Sequence, residues 1–260
     1  MHTNQSPVSS WRIDRRREAQ LDAGGFRAIV QVDRPQDGVS ASPGDDPPIG
    51  DGHLLQLITR GSFPPAADSF YERGCDLVAT YDLTDAHSIR TQVYWRKVEA
   101  DAAVAMHGGI DLIVSVQTDS LDADPGMCVR SSLNGRDVLY LADAVGDRWE
   151  STAAWHDDAD SRKFRRPPGC FLVRLPEGGF DYLEMIHPAD LRSSAAVISE
   201  SSGSSAKTVQ IDHRLFDGRL EKGVILRSRV RGVFLTRDVD PSDATRCYRQ
   251  FAGSEPPLTV

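Results

Sequence analysis

From Leu226 to Gly232 the chain alternates in a way that admits little besides an extended strand. Leu226, Ser228, Val230 and Gly232 are small or apolar, and Arg227, Arg229 and Arg231 stand between them. Strand side chains have a period of two, so this spacing sends the three guanidinium groups to one sheet face and the other four residues to the opposite face. The turn pair Asp217-Gly218 opens the run, which extends from Phe216 to Asp238. Three arginines side by side need partners. These are either acidic neighbours within the sheet or a ligand carrying anionic groups or hydroxyls.

The same alternation recurs along the chain. In Ser88 to Arg96, Ile89, Thr91, Val93 and Trp95 oppose Arg90, Gln92, Tyr94 and Arg96. Ile110 to Thr118 and Asp76 to Asp82 alternate likewise, as half-buried antiparallel strands do. Phe26 to Asp33 reads as a first strand, and His53 to Arg60 is short, apolar and ambiguous between strand and helix. Asn134-Gly135 between Met127–Leu133 and Arg136–Leu141 predicts a tight hairpin, and Cys170–Leu175 with Phe180–His187 predicts another. Ala195–Ser199 and Lys207–His213 read as two strands joined across the polar turn SESSGSS. Residues 35 to 52 hold four prolines, four glycines and four aspartates and read as a long loop. Residues 142 to 169 read as a second loop, pinned by Trp149 and Trp155. One helix is expected. Asp240 suits its N-cap, Pro241 its first position and Gly253 its end, with Ala244, Cys247, Tyr248 and Phe251 facing the core.

About eleven strands and a single helix, without βαβ alternation, predict an all-β fold. So many strands must curl or split, and a large antiparallel β-sandwich with a short C-terminal helix is the expected architecture. Residues 1–24 are polar and read as a loose lead-in anchored by Trp11 and Ile13, with 25–260 forming one sandwich domain.

Thirty basic against 38 acidic residues leave a net charge of −8. That balance disfavours nucleic acid and anionic membranes as partners. Cys75, Cys128, Cys170 and Cys247 are widely spaced, without a CxxC pair, and read as free thiols in a reducing compartment. Neither a secretion signal nor an apolar run of spanning length is evident, so a soluble, cytoplasmic protein is expected. The sequence does not address oligomeric state.

Common catalytic and phosphate-binding motifs are missing, and no metal or cofactor is expected. Asp119–Gly126 has the wrong spacing for a calcium loop and reads as a solvated turn. Glu184 and His187 would point to opposite faces of a strand. His156 with Asp157, Asp158 and Asp160 reads as a charged surface loop. Two constellations carry chemistry. The first is a polar sheet face of Arg90, Gln92, Tyr94 and Arg96 on one strand, Asp111, Ser115 and Gln117 on another, and Arg227, Arg229 and Arg231, with Arg90, Gln92, Tyr94, Gln117 and the three arginines as candidate ligand contacts. Planar polar groups with an aromatic ring suit a saccharide, an anionic sugar above all. The alternative is an outer face held by cross-strand Arg–Asp pairs, in a structural or protein-interaction module with no small-molecule site. The second constellation is Asp212, His213, Asp217 and Glu221, in which His213 and Glu221 are candidate acid–base groups.

The string RGCDLVATY (Arg73 to Tyr81), followed by TQVYWR (Thr91 to Arg96), resembles a signature of an uncharacterised bacterial protein family, a likeness that implies no activity. The succession of long antiparallel strands resembles the galactose-mutarotase-like supersandwich, which implies carbohydrate binding on a concave sheet. The histidines and glutamate of mutarotase catalysis find no counterpart in this chain, so the resemblance does not extend to epimerase activity.

Overall fold

The computed structural model describes residues 11–23, 25–44, 53–61, 63–84, 88–151, 169–176, 178–200, 207–216 and 218–255. Two antiparallel sheets dominate it. The nine-stranded sheet runs in the order β12 (Arg148–Ser151), β11 (Asp137–Asp143), β13 (Cys170–Arg174), β14 (Phe180–Ile186), β17 (Ile225–Thr236), β9 (Met106–Gln117), β8 (Arg90–Val98), β7 (Asp76–Tyr81) and β6 (Ser69–Arg73). The eight-stranded sheet runs β1 (Trp11–Ile13), β2 (Glu18–Asp22), β3 (Phe26–Gln31), β4 (Val39–Pro43), β5 (His53–Ile58), β10 (Cys128–Gly135), β16 (Lys207–Arg214) and β15 (Ser193–Glu200). The expected all-β sandwich is what the chain forms.

The inner faces supply the main core. Leu77, Val93, Trp95, Leu112, Val114, Val116 and Val230 from the nine-stranded sheet meet Leu57, Val129, Leu133, Val209 and Ile211 from the other. These are the apolar halves of the alternating segments, so the period of two that orients the arginines also builds the core.

A second, smaller core lies on the outer face of the nine-stranded sheet. There α1 (Pro241–Ala252) packs Ala244, Cys247, Tyr248 and Phe251 onto Leu172, Leu183, Met185, Val233 and Leu235. Its start is set by Asp240, whose carboxylate accepts from the Ser242 amide at 2.8 Å, and by Pro241 behind it. Gly253 ends it, donating to the Arg249 carbonyl at 2.9 Å. The helix covers the sheet over the second half of β17, and Arg227, Arg229 and Arg231 precede Val233 and Leu235 on the same face.

Several expectations are corrected. Asn134-Gly135 does not turn a hairpin: β10 and β11 lie in different sheets, and the chain crosses between them there. The glycine serves packing instead, since a Cβ at 135 would sit 2.8 Å from Val173 Cγ1 and 2.9 Å from Val209 Cγ2. The proline-rich stretch 35–52 is not all loop, because Val39–Pro43 pairs with β3. Arg148–Ser151, in the second expected loop, pairs with β11, and Trp149 is pinned by donating its indole N–H to Thr245 Oγ1 at 2.9 Å. His53–Ile58, open between strand and helix in the sequence, is a strand. Within the opening stretch, Trp11–Ile13 and Glu18–Asp22 pair with each other, and β2 continues onto β3. Trp155, the His156–Asp160 cluster, the SESSGSS tip and Asp217 lie outside the described residues.

Candidate ligand-binding face

Cross-strand register turns the outward residues of β7, β8, β9 and β17 into rows. The first is Arg90, Gln117 and Ile225, and the second Thr80, Gln92, Ser115 and Arg227. The third is Val78, Tyr94, Ile113 and Arg229, and the fourth Asp76, Arg96, Asp111 and Arg231. All seven residues read from the sequence as ligand-binding therefore share one face.

The fourth row is closed electrostatically. Arg96 grips Asp76 through two hydrogen bonds of 2.6 and 2.7 Å, and Arg231 grips Asp111 at 2.6 and 2.8 Å. Both carboxylates are buried, and two-pronged pairing is what makes such burial tolerable. The hydrogen bond to Asp76 raises the Arg96 pKa further.

Arg229 in the third row is nearly enclosed, at 5% exposure. Its guanidinium lies 4.5 Å from the Phe251 ring centre and donates to the Ser254 carbonyl at 3.4 Å. A cation beside the C-terminal end of α1 is favourably placed against the helix dipole. Asp190 accepts from the Arg229 backbone N–H at 2.9 Å, and burial raises its pKa. His187 Nδ1 accepts from the Ala189 amide at 3.3 Å, which leaves Nε2–H to donate to the Ala252 carbonyl at 3.2 Å. Burial, and then the Arg229 charge, lowers the His187 pKa. Arg231 also stacks on Phe251, at 4.7 Å. This half of the face clamps the helix.

The other half is different. Gln92 is held on both sides, donating to Thr80 Oγ1 at 3.2 Å and accepting from the Tyr94 hydroxyl at 2.9 Å. Arg227 lies over the Tyr94 ring at 5.6 Å. Burial raises the Tyr94 pKa, and Arg227 pulls it back. Arg90 pairs with Asp82 at 2.6 Å, both side chains about half exposed, an arrangement worth little in water. A cavity of about 180 Å³ opens among Arg90, Gln92, Ser115, Gln117, Ile225 and Arg227.

The two acid–base candidates are not brought to this face. Glu221 is exposed in the turn before β17, where its carbonyl accepts from Val224 N. His213 is wholly buried between the sheets. Its Nδ1 is 2.6 Å from Ser194 Oγ, and its Nε2 is 3.2 Å from Glu184 Oε1. Glu184 Oε2 accepts from the Ser131 hydroxyl and, at 2.7 Å, from the Tyr182 hydroxyl. Ser131 Oγ in turn accepts the Leu55 amide at 2.8 Å. Glu184 and Tyr182 come from the nine-stranded sheet, and Ser131, His213 and Ser194 from the other, so the cluster stitches the layers together. Sequence reasoning missed it. The available signal was a carboxylate between Tyr182 and Ile186 on the apolar face of FDYLEMI. His187 lies on the helix side of the same sheet, its ring 5.6 Å from Phe251, so Glu184 and His187 do point apart.

Asp212 is bound two-pronged by Arg130 at 2.7 and 3.2 Å. In the acidic turn, Asp122 pairs with Arg219 and Asp124 with Arg60. Among the described residues no cluster of three or more His, Cys, Asp or Glu could hold a metal ion. Among the same residues no helix is long and apolar enough to cross a membrane.

No family model and no curated protein sequence matches the chain. Among solved structures it is similar to a protein described as a "putative mutarotase" from Salmonella typhimurium, with 10% identity and a TM-score of 0.50 over 90% of this chain and 95% of that one. The likeness is one of fold. It meets the expected resemblance to the mutarotase-like sandwich at the level of architecture. A heparan sulfate lyase from Pedobacter heparinus aligns at 7% identity with a TM-score of 0.49, over 89% of this chain and 37% of that enzyme.

Proposed function

We propose that the outer face of the nine-stranded sheet binds a carbohydrate, and that the bound unit is an anionic sugar. The observation that carries this reading is the cavity where two guanidinium groups, two amides and the Ser115 hydroxyl converge. Within the first two rows no carboxylate stands between Arg90 and Arg227, whereas the fourth row matches each arginine with an aspartate. An anion entering there would displace the half-exposed Arg90–Asp82 contact, which is worth little in water. Gln92, fixed by Thr80 and Tyr94, offers a pre-oriented amide to a hydroxyl, which lowers the ordering cost of binding. Ile225, largely exposed at the cavity edge, gives a sugar ring an apolar contact. The name of the Salmonella structure supports the same class of ligand. Arg229 and Arg231 share the face and contribute to it by holding α1 and the neighbouring rows in place.

The proposed activity is binding, since His213 and Glu221 stand away from the cavity. The competing reading, a scaffold without a ligand, draws on the ion-paired fourth row. A thermal-shift screen of neutral, uronate and sulfated saccharides on wild type and Arg227→Ala separates the two. Stabilisation by an anionic sugar that disappears in the variant is expected. No shift with any saccharide would leave the scaffold reading standing.

A further inference from the structure

The first residues of β8 have cavities on both sides. Arg90 and Gln92 face the outer cavity, and Ile89 and Thr91, pointing the other way, line a second one of about 160 Å³. It opens at the end of the sandwich where β5 stops and β10 and β8 begin. Phe63, Pro64, Ile89, Pro125 and Met127 form its apolar walls. Thr59, Ser88 and Thr91 place hydroxyl-bearing side chains among them.

Contacts within the protein brace the walls. Phe63 stands edge-on against Tyr81, ring centres 4.7 Å apart, and the Tyr81 hydroxyl donates to the Val32 carbonyl. The Thr59 hydroxyl donates to the Gly61 carbonyl at 2.6 Å, so its oxygen is left to accept from a guest. Thr118 Oγ1 donates to the Ser88 carbonyl at 2.7 Å and holds the start of β8. Arg60 crosses the rim to Asp124, lying on Gly126, where a Cβ would come within 2.8 Å of Arg60 Cδ. Its contact with Asp124 is exposed to water and can open at little cost.

The geometry points to this mouth as a second ligand site, which takes an uncharged hydroxylated ring of the size of one pyranoside. Size argues for one ring, since pockets for larger ligands begin at about 300 Å³. Charge argues for a neutral guest, because among the described residues that line the cavity the charged ones are Arg60 and Asp124, which neutralise each other. Apolar walls interrupted by hydroxyls fit a ring whose faces are apolar and whose edge carries hydroxyl groups. The inference rests on this cavity alone and stands or falls apart from the anionic site across the strand.

Saturation-transfer NMR on the full chain with methyl glycosides of glucose, galactose and mannose tests it, with glucuronate as the outer-face probe. At least one neutral glycoside is expected to bind, and to bind about fivefold to tenfold more weakly in Thr91→Val, an isosteric change that removes one hydroxyl. Ser88→Trp, at the exposed rim, is expected to abolish that signal, while Arg227→Ala leaves it unchanged. Absence of binding by all three glycosides would overturn the proposal. So would a neutral-glycoside signal lost in Arg227→Ala and kept in Ser88→Trp, since that places the guest on the outer face.

Discussion

Replacing Glu184 with glutamine changes one atom at the seam between the sheets and should be felt throughout the fold. The carboxylate accepts two hydroxyl donors at Oε2 and faces His213 Nε2 at Oε1. Hydrogen bonds to a charged group contribute about 1.5–3 kcal/mol each, against about 0.5–1.5 for neutral ones. The amide keeps one acceptor oxygen but turns its NH2 toward either the hydroxyls or the imidazole. Weakening two bonds by about 1 kcal/mol each, with some mismatch at His213, gives an expected loss of about 2–3 kcal/mol. That is a large part of a typical total of about 5–15 kcal/mol. Urea unfolding of wild type, Glu184→Gln, Tyr182→Phe and the double variant measures it as a cycle. The two changes share one oxygen, so a coupling of about 1 kcal/mol or more is expected. A Glu184→Gln loss below about 0.5 kcal/mol, or strict additivity, would refute the seam as described.

Other consequences are as direct. Gly135→Ala should cost about 1–3 kcal/mol by overpacking, because the new methyl meets two stiff valines at under 3 Å; a neutral outcome by urea unfolding would show that the crossing is looser than described. His187, with its pKa lowered from 6.5 by burial, binds protons less readily in the folded chain than in the unfolded one. Its contribution to stability is therefore complete above pH 6.5 and is lost as pH falls through the depressed folded value. His187→Gln should flatten that acid limb in urea midpoints, and an unchanged limb would assign it to other groups. Burial pushes the Cys128 and Cys247 thiols up to about 12 and Cys170 well above its usual range, whereas Cys75 is exposed. A disulfide reagent at neutral pH should modify Cys75 alone in the folded protein and all four thiols after denaturation.

Legibility followed the physics of burial. β17, β8 and β9 could be read because they lie inside a sheet with one face in the core and the other polar, so their alternation is strong. β1, β6 and β12 lie at or near sheet edges, are short, and carry polar residues such as Ser69, Glu72 and Arg148, which leaves little apolar period to detect. The Asn134-Gly135 pair misled for a specific reason. Beside asparagine a glycine signals a tight turn, while the fold uses its missing side chain to bring the two sheets together. The arginine face was legible as a face. Which arginines are committed to aspartates was not, because register decides that Arg231 meets Asp111 and Arg227 meets Ser115. The buried Glu184 cluster draws on four strands, and no local pattern could assemble it.

Isothermal titration of glucuronate into the wild-type chain, Arg90→Ala and Arg227→Ala is the most direct measurement of the outer-face account. Loss of one charge-assisted contact of about 1.5–3 kcal/mol should weaken binding about 10- to 150-fold in each variant. Affinities that are equal in all three proteins, or no binding of any uronate by the wild type, would contradict it.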